Sequence, residues 1–209
     1  MTPGSRILFD PRMSQVILIR PGATLYDEQQ RVQGVLDIPL SERGHDAVVR
    51  MARAIASSLG DSSLAALYSG PGENVTRTAE IVGKVVGIRP KRINEFRNLD
   101  QGLWQGLQID EIKRRNTRLF RQWLEDPATI CPPQGETVER AMERIKAAFR
   151  PLLRRHRGEA IGLVVGEPLA RLVACYLRCE PRVQLDERWS CCEFEWIKIA
   201  PVLLRNGTA

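Results

Sequence analysis

Histidine is scarce in this chain. Among 209 residues only His45 and His156 carry an imidazole, so any imidazole-based catalysis would have to pass through one of two positions. His45 falls inside a helical stretch and His156 in a basic stretch ahead of a strand, and both read as ordinary surface residues. No apolar run approaches the ~18–20 residues that cross a bilayer, which excludes a membrane-spanning helix. The five cysteines are odd in number, so a disulfide framework is not expected. No C-x-x-C pair supplies the spacing of a structural zinc site. The expectation is reduced thiols in a cytoplasmic protein, with no metal and no cofactor. Internal repeats and low-complexity tracts are absent as well.

What the chain has is ordinary globular composition, 43% hydrophobic and 27% charged, enough for one sizeable core. Its net charge of +6 invites a nucleic-acid reading. The basic residues are scattered, however. The densest groups, Lys113-Arg114-Arg115 and Arg154-Arg155-His156-Arg157, have no interleaved aromatics on which bases could stack, so solvated helix faces explain them better. Residues 1–13 read as a loose extension without a sustained apolar stretch, 14–203 as a single domain and 204–209 as a tail.

Residues 15–20 form a short apolar run stopped by Pro21-Gly22, the pattern of a strand buried on both faces. Residues 64–68 and 161–165 repeat that pattern and end in Ser69-Gly70-Pro71 and Gly166-Glu167-Pro168. Helical spacing marks 41–59, 74–86, 107–125, 137–155 and 169–177. Residues 182–185 and 194–199 read as further strands, Cys191-Cys192 falling within strand-like sequence. The alternation predicts an α/β fold, a three-layer α/β/α sandwich around a mostly parallel sheet. In such sheets ligands bind beyond the carboxyl ends of the strands. Arg20-Pro21-Gly22, Ser69-Gly70-Pro71 and Gly166-Glu167-Pro168 are therefore expected to converge, with Asn98 and Asp100 as a fourth contribution. Trp104, Trp123 and Trp196 read as packing residues, and Glu136 as a helix-start cap.

Ordered short motifs give this expectation a family. Leu18-Ile19-Arg20-Pro21-Gly22-Ala23-Thr24 resembles the Arg-His-Gly-x-Thr signature of the histidine phosphatase superfamily, the phosphoglycerate mutase-like proteins. Gln33-Gly34, Asp37-Ile38-Pro39-Leu40 and Gly44 continue the resemblance. Tyr68-Ser69-Gly70-Pro71 with Thr78-Ala79-Glu80, Gly102-Leu103-Trp104-Gln105-Gly106, Pro133-Gln134-Gly135-Glu136-Thr137 and Leu163-Val164-Val165-Gly166-Glu167-Pro168 resemble its later motifs. The likeness spans roughly residues 15–200.

The resemblance also implies that the chemistry is gone. In the family a first-motif histidine attacks the phosphoryl group, while a second histidine and two arginines hold its oxygens. The nucleophile's position falls on Pro21, the second histidine's on Glu167, the second arginine's on Asn74 and the general-acid glutamate's on Asn98. Of the working set only Arg20 persists. Proline has no free lone pair to attack with, and Glu167 puts negative charge where the family puts a phosphate-holding group. Weak phosphate binding is therefore expected, and Arg20 is expected to pair with Glu167 and fill the cavity. Thr24, Ser69, Asp27 and Asp100 are substitute nucleophiles by type alone, with neither base nor metal beside them in sequence.

The leading reading is a pseudoenzyme that binds a small ligand or a protein through Arg20, Thr24, Asn74, Asn98 and Glu167. An enzyme with a non-standard site using Glu167 and Arg20 is the alternative, and a nucleic-acid binder the third. The sequence leaves a homodimer open and names no ligand or partner.

Overall fold

The computed structural model describes residues 14–185 and 190–205. β1 (Gln15–Ile19), the run QVILI, is buried at every position, as a strand covered on both faces must be. After the short α1 (Leu25–Glu28), α2 (Glu42–Leu59) begins where the Ser41 hydroxyl accepts a hydrogen bond from the Gly44 N–H. There follow β2 (Ala66–Ser69), α3 (Glu73–Val86) and a two-residue β3 (Lys91–Arg92). Next come α4 (Ile109–Arg115), α5 (Thr117–Glu125) and α6 (Val138–Arg155). β4 (Ala160–Val164), α7 (Leu169–Arg178), β5 (Phe194–Lys198) and α8 (Pro201–Arg205) complete the described chain.

The sheet order is β3-β2-β4-β1-β5, with the first four strands parallel and β5 antiparallel to β1. Strand alternation builds the two outer layers. Ile17 and Ile19 face α2 and α3 in one apolar cluster, whereas Val16 and Leu18 join the opposite cluster with residues of α4 to α7. The expected three-layer, mostly parallel α/β architecture is what the chain adopts.

Several expectations of detail fail for local reasons. The helix expected over 107–125 is broken at Asn116, whose backbone (φ −137, ψ 45) leaves the helical region between α4 and α5. Residues 182–185 form no strand. The Leu185 N–H instead bonds the Leu124 carbonyl, holding the segment against the end of α5. Cys191 and Cys192 lie in the loop before β5, where Cys192 takes a positive φ of 57°. Glu136 does not cap α6; Thr137 does, accepting from the Arg140 N–H. Glu136 instead forks across the Arg144 guanidinium, at 2.8 and 2.7 Å. α8 extends past residue 203, and the expected extension over 1–13 and the last four tail residues lie outside the described residues.

Close packing fixes the loop after β1. A Cβ on Gly44 would stand 2.0 Å from the Ala23 carbonyl oxygen, and one on Gly22 would stand 2.6 Å from Val48 Cγ2. Only a glycine pair lets α2 press this tightly on the loop that carries Pro21.

Candidate functional site

The three loops converge as expected. Beyond the carboxyl ends of β1, β2 and β4 lies a pocket of about 70 Å³, lined among others by Pro21, Gln33, Asn74, Asn98, Gly166 and Glu167. Given ~30 Å³ per water in the liquid, it has room for a group of a few atoms.

Arg20 leaves the end of β1 buried, and its Nε donates to Glu167 Oε1 at 2.5 Å, where the two side chains are 8% and 4% exposed. Its Nη2 donates to Glu195 Oε1 on the neighbouring β5 at 3.1 Å. The expected ion pair is present, yet it fills the cavity only in part. Arg20 stands behind the wall, and Glu167 alone of the two lines the remaining space. Burial pushes the Glu167 carboxyl above its usual range, and the Arg20 charge only partly opposes this. Its second oxygen, Oε2, is buried and has no hydrogen-bond partner among the described residues.

Asn98 is a strut. Its Nδ2 donates to the carbonyls of Gly34 (3.0 Å) and Glu167 (2.8 Å), and its Oδ1 accepts from the N–H groups of Leu99 (2.9 Å) and Leu169 (3.3 Å). One amide thus ties the 34 loop, the 98 turn and the start of α7 together. Arg144 supports that turn from below, donating to the carbonyls of Glu95, Arg97 and Asn98. Asn74 is buried at the start of α3, and its Oδ1 accepts a long 3.5 Å bond from Gln33 Nε2.

Other candidates by residue type are occupied. Thr24 is fully buried and forms a capping box with Asp27, its Oγ1 donating to Asp27 Oδ2 at 2.7 Å. Thr24 therefore supports the pocket from outside its lining. Ser69 is buried in β2, and Asp100 accepts from the Gly102 N–H. Asp27 does line the pocket, beside the Cys191 thiol. Burial, with the Asp27 carboxylate next to it, holds that thiol protonated, which denies it the thiolate form a nucleophile needs. Sequence reasoning passed over Gln33, Cys191 and Glu195 as site residues. Their proximity depends on the antiparallel return of β5 and the fold-back of the 33 loop, which no short motif encodes.

The sequence profile of the histidine phosphatase superfamily (branch 1) matches residues 16–200. This chain belongs to the histidine phosphatase superfamily. It is similar to a probable phosphoglycerate mutase GpmB from Salmonella arizonae, 31% identical over 163 residues, covering 73% of this chain and 74% of that one. It is also similar to phosphoserine phosphatase 1 from Hydrogenobacter thermophilus, 26% identical over 178 residues, covering 85% and 81%. Among solved structures, Bacillus stearothermophilus YhfR superposes with a TM-score of 0.74 at 26% identity, covering 90% of this chain and 92% of that one.

In this histidine phosphatase superfamily chain neither histidine reaches the pocket. His156 follows α6 at the opposite, amino-terminal end of β4, a five-residue strand that spans roughly 15 Å. The surface position expected for it is wrong. It is only 8% exposed, its Nε2 pairs with the Tyr68 hydroxyl at 2.8 Å and its Nδ1 with Glu159 at 2.7 Å. The strand's burial of Tyr68 creates that niche. His45 sits half-exposed on α2, near Asp46. Trp104 and Trp123 pack in the core with ring centroids 5.6 Å apart, and Trp196 is half-buried on β5.

Proposed function

We propose that this chain is a catalytically inactive member of its superfamily, a pseudoenzyme whose retained pocket serves binding or regulation. The observation that carries the reading is Pro21 in the pocket wall at the end of β1, where the family motif has its attacking histidine. A pyrrolidine ring in a tertiary amide cannot take up a phosphoryl group. The electrostatics agree. A unit charge ~4 Å away contributes about 4 kcal/mol at an effective dielectric near 20, so the carboxylates of Glu167 and Asp27 oppose a phosphate strongly. The one inherited cation, Arg20, is engaged by Glu167 and Glu195.

Relatives carry names that specify phosphoserine and phosphoglycerate, and those phosphomonoesters are the substrates to test. Phosphate release above the buffer blank is not expected from either. Turnover by the unmodified protein that disappears in Glu167→Gln would instead establish an enzyme with a non-standard site.

A further inference from the structure

Two side-chain amides in the pocket wall each keep one polar atom uncommitted. Gln33 Nε2 donates to the Leu36 carbonyl and to Asn74 Oδ1, while Gln33 Oε1 and Asn74 Nδ2 have no partner among the described residues. Both residues line the pocket and are nearly buried, Gln33 at 9% and Asn74 at 4% exposure. Their uncommitted atoms still retain accessible surface, whereas Glu167 Oε2 is sealed from it. One accessible donor and one accessible acceptor, side by side in a nearly closed wall, point to a ligand that supplies the counterparts. The start of α3 extends the donor edge. Its N-cap, Gly72, has no side chain to offer, and the N–H groups of Asn74 and Val75 have no acceptor among the described residues. Charge then selects among ligands. Asp27 and Glu167 line the same pocket, and Arg97, the only cation lining it among the described residues, is held by Glu136 at 3.1 Å. An anion is therefore opposed, although an oxygen acceptor is what Asn74 and the α3 N-terminus call for. Asp27 in turn is engaged by the Thr24 N–H and hydroxyl, which leaves no open carboxylate for a cation.

We infer that the pocket binds a small uncharged molecule through a primary carboxamide group, whose oxygen accepts from Asn74 Nδ2 and whose N–H donates to Gln33 Oε1. A carboxamide is the simplest neutral group that carries both counterparts on adjacent atoms. The space of about 70 Å³ admits such a group, and Val35, Leu36 and Pro71 offer apolar walls to the attached carbon. The inference rests on the reading of this site as one that no longer handles phosphate.

The test is a titration of the ¹⁵N-labelled full chain with acetamide, acetone, acetate and inorganic phosphate at matched ionic strength. Acetone keeps the shape and the acceptor but lacks the donor, and acetate puts a charged oxygen in the donor's place. Acetamide is expected to shift the Asn74 and Gln33 side-chain amides and the Val75 N–H saturably, with half-saturation at roughly 10 mM, within reach of a ligand of so few atoms. Acetone is expected to bind about fivefold more weakly, and acetate and phosphate at least about tenfold. The variant Asn74→Leu, its folding checked by thermal melting, is expected to weaken acetamide binding at least about fivefold. No saturation by acetamide, acetone or acetate binding as tightly as acetamide, or unchanged affinity in the folded variant would each overturn the carboxamide site. If that variant does not fold, the comparison with acetone and acetate decides alone. Saturable phosphate binding at the same signals would overturn the underlying reading as well, whereas silence toward both acetamide and phosphate would remove the carboxamide site only.

Discussion

Arg20 Nε and Glu167 Oε1 meet at 2.5 Å at the ends of β1 and β4, two strands that lie side by side in the sheet although 147 residues separate the partners in sequence. Removing Arg20 leaves Glu167 buried without its main counter-charge, whereas removing Glu167 leaves Arg20 still paired with Glu195. Arg20→Ala is expected to cost about 3–5 kcal/mol in urea denaturation, and replacing both residues by methionine to restore most of that loss. A single-variant cost below about 1 kcal/mol would show that the pair is not structurally important.

Asn98 makes a sharper demand, because it donates from one side and accepts on the other. Asn98→Asp puts an oxygen where Nδ2 faces the carbonyls of Gly34 and Glu167. It is expected to cost about 2–4 kcal/mol, more than Asn98→Ala, since repulsion adds to the lost bonds. Chemical denaturation of both variants ranks them, and equal stability would contradict the strut. Placing at position 98 the glutamate that the family resemblance implies should therefore destabilise the protein as well, since it too lacks the Nδ2 donor.

Much of this was legible in the sequence. β1, β2 and β4 show as uninterrupted apolar runs because both faces are covered, and the loops after them were identifiable from Gly and Pro. The Arg20–Glu167 pair followed from two charges assigned to one small cavity. What stayed hidden depends on distant neighbours. β3 is a two-residue edge strand of exposed Lys91 and Arg92, with no apolar signal. The bond from Arg20 to Glu195 requires knowing that β5 returns antiparallel beside β1. His156 looked like part of a basic surface because its burial comes from Tyr68, 88 residues away.

The pH dependence of stability has a definite sign at Glu167. Its folded carboxyl titrates above the model-compound value of 4.5, so the folded state holds the proton more tightly than the unfolded chain. The stability from this group is fully present below the unfolded value and is lost as pH rises through the folded one. Denaturation of the natural protein and the Arg20→Gln, Glu167→Gln variant from pH 4 to 8 should show the natural protein's relative stability declining with pH. A relative gain with rising pH would contradict the burial argument.

Thiol reactivity should follow position. Cys179 is exposed at the end of α7, whereas Cys191 is held protonated beside Asp27. With iodoacetamide at mild alkaline pH, peptide mapping is expected to find Cys179 modified well before Cys191 in the folded protein. Faster modification of Cys191 would mean that a thiolate is available in the pocket.

Phosphoenzyme trapping reaches the central claim most directly. Incubation with an isotopically labelled phosphomonoester, followed by rapid denaturation under alkaline conditions that preserve phosphohistidine, reports whether the protein itself accepts a phosphoryl group. The expected result is no label on the polypeptide and none released as phosphate beyond the blank. Stoichiometric label on the natural chain would contradict it outright.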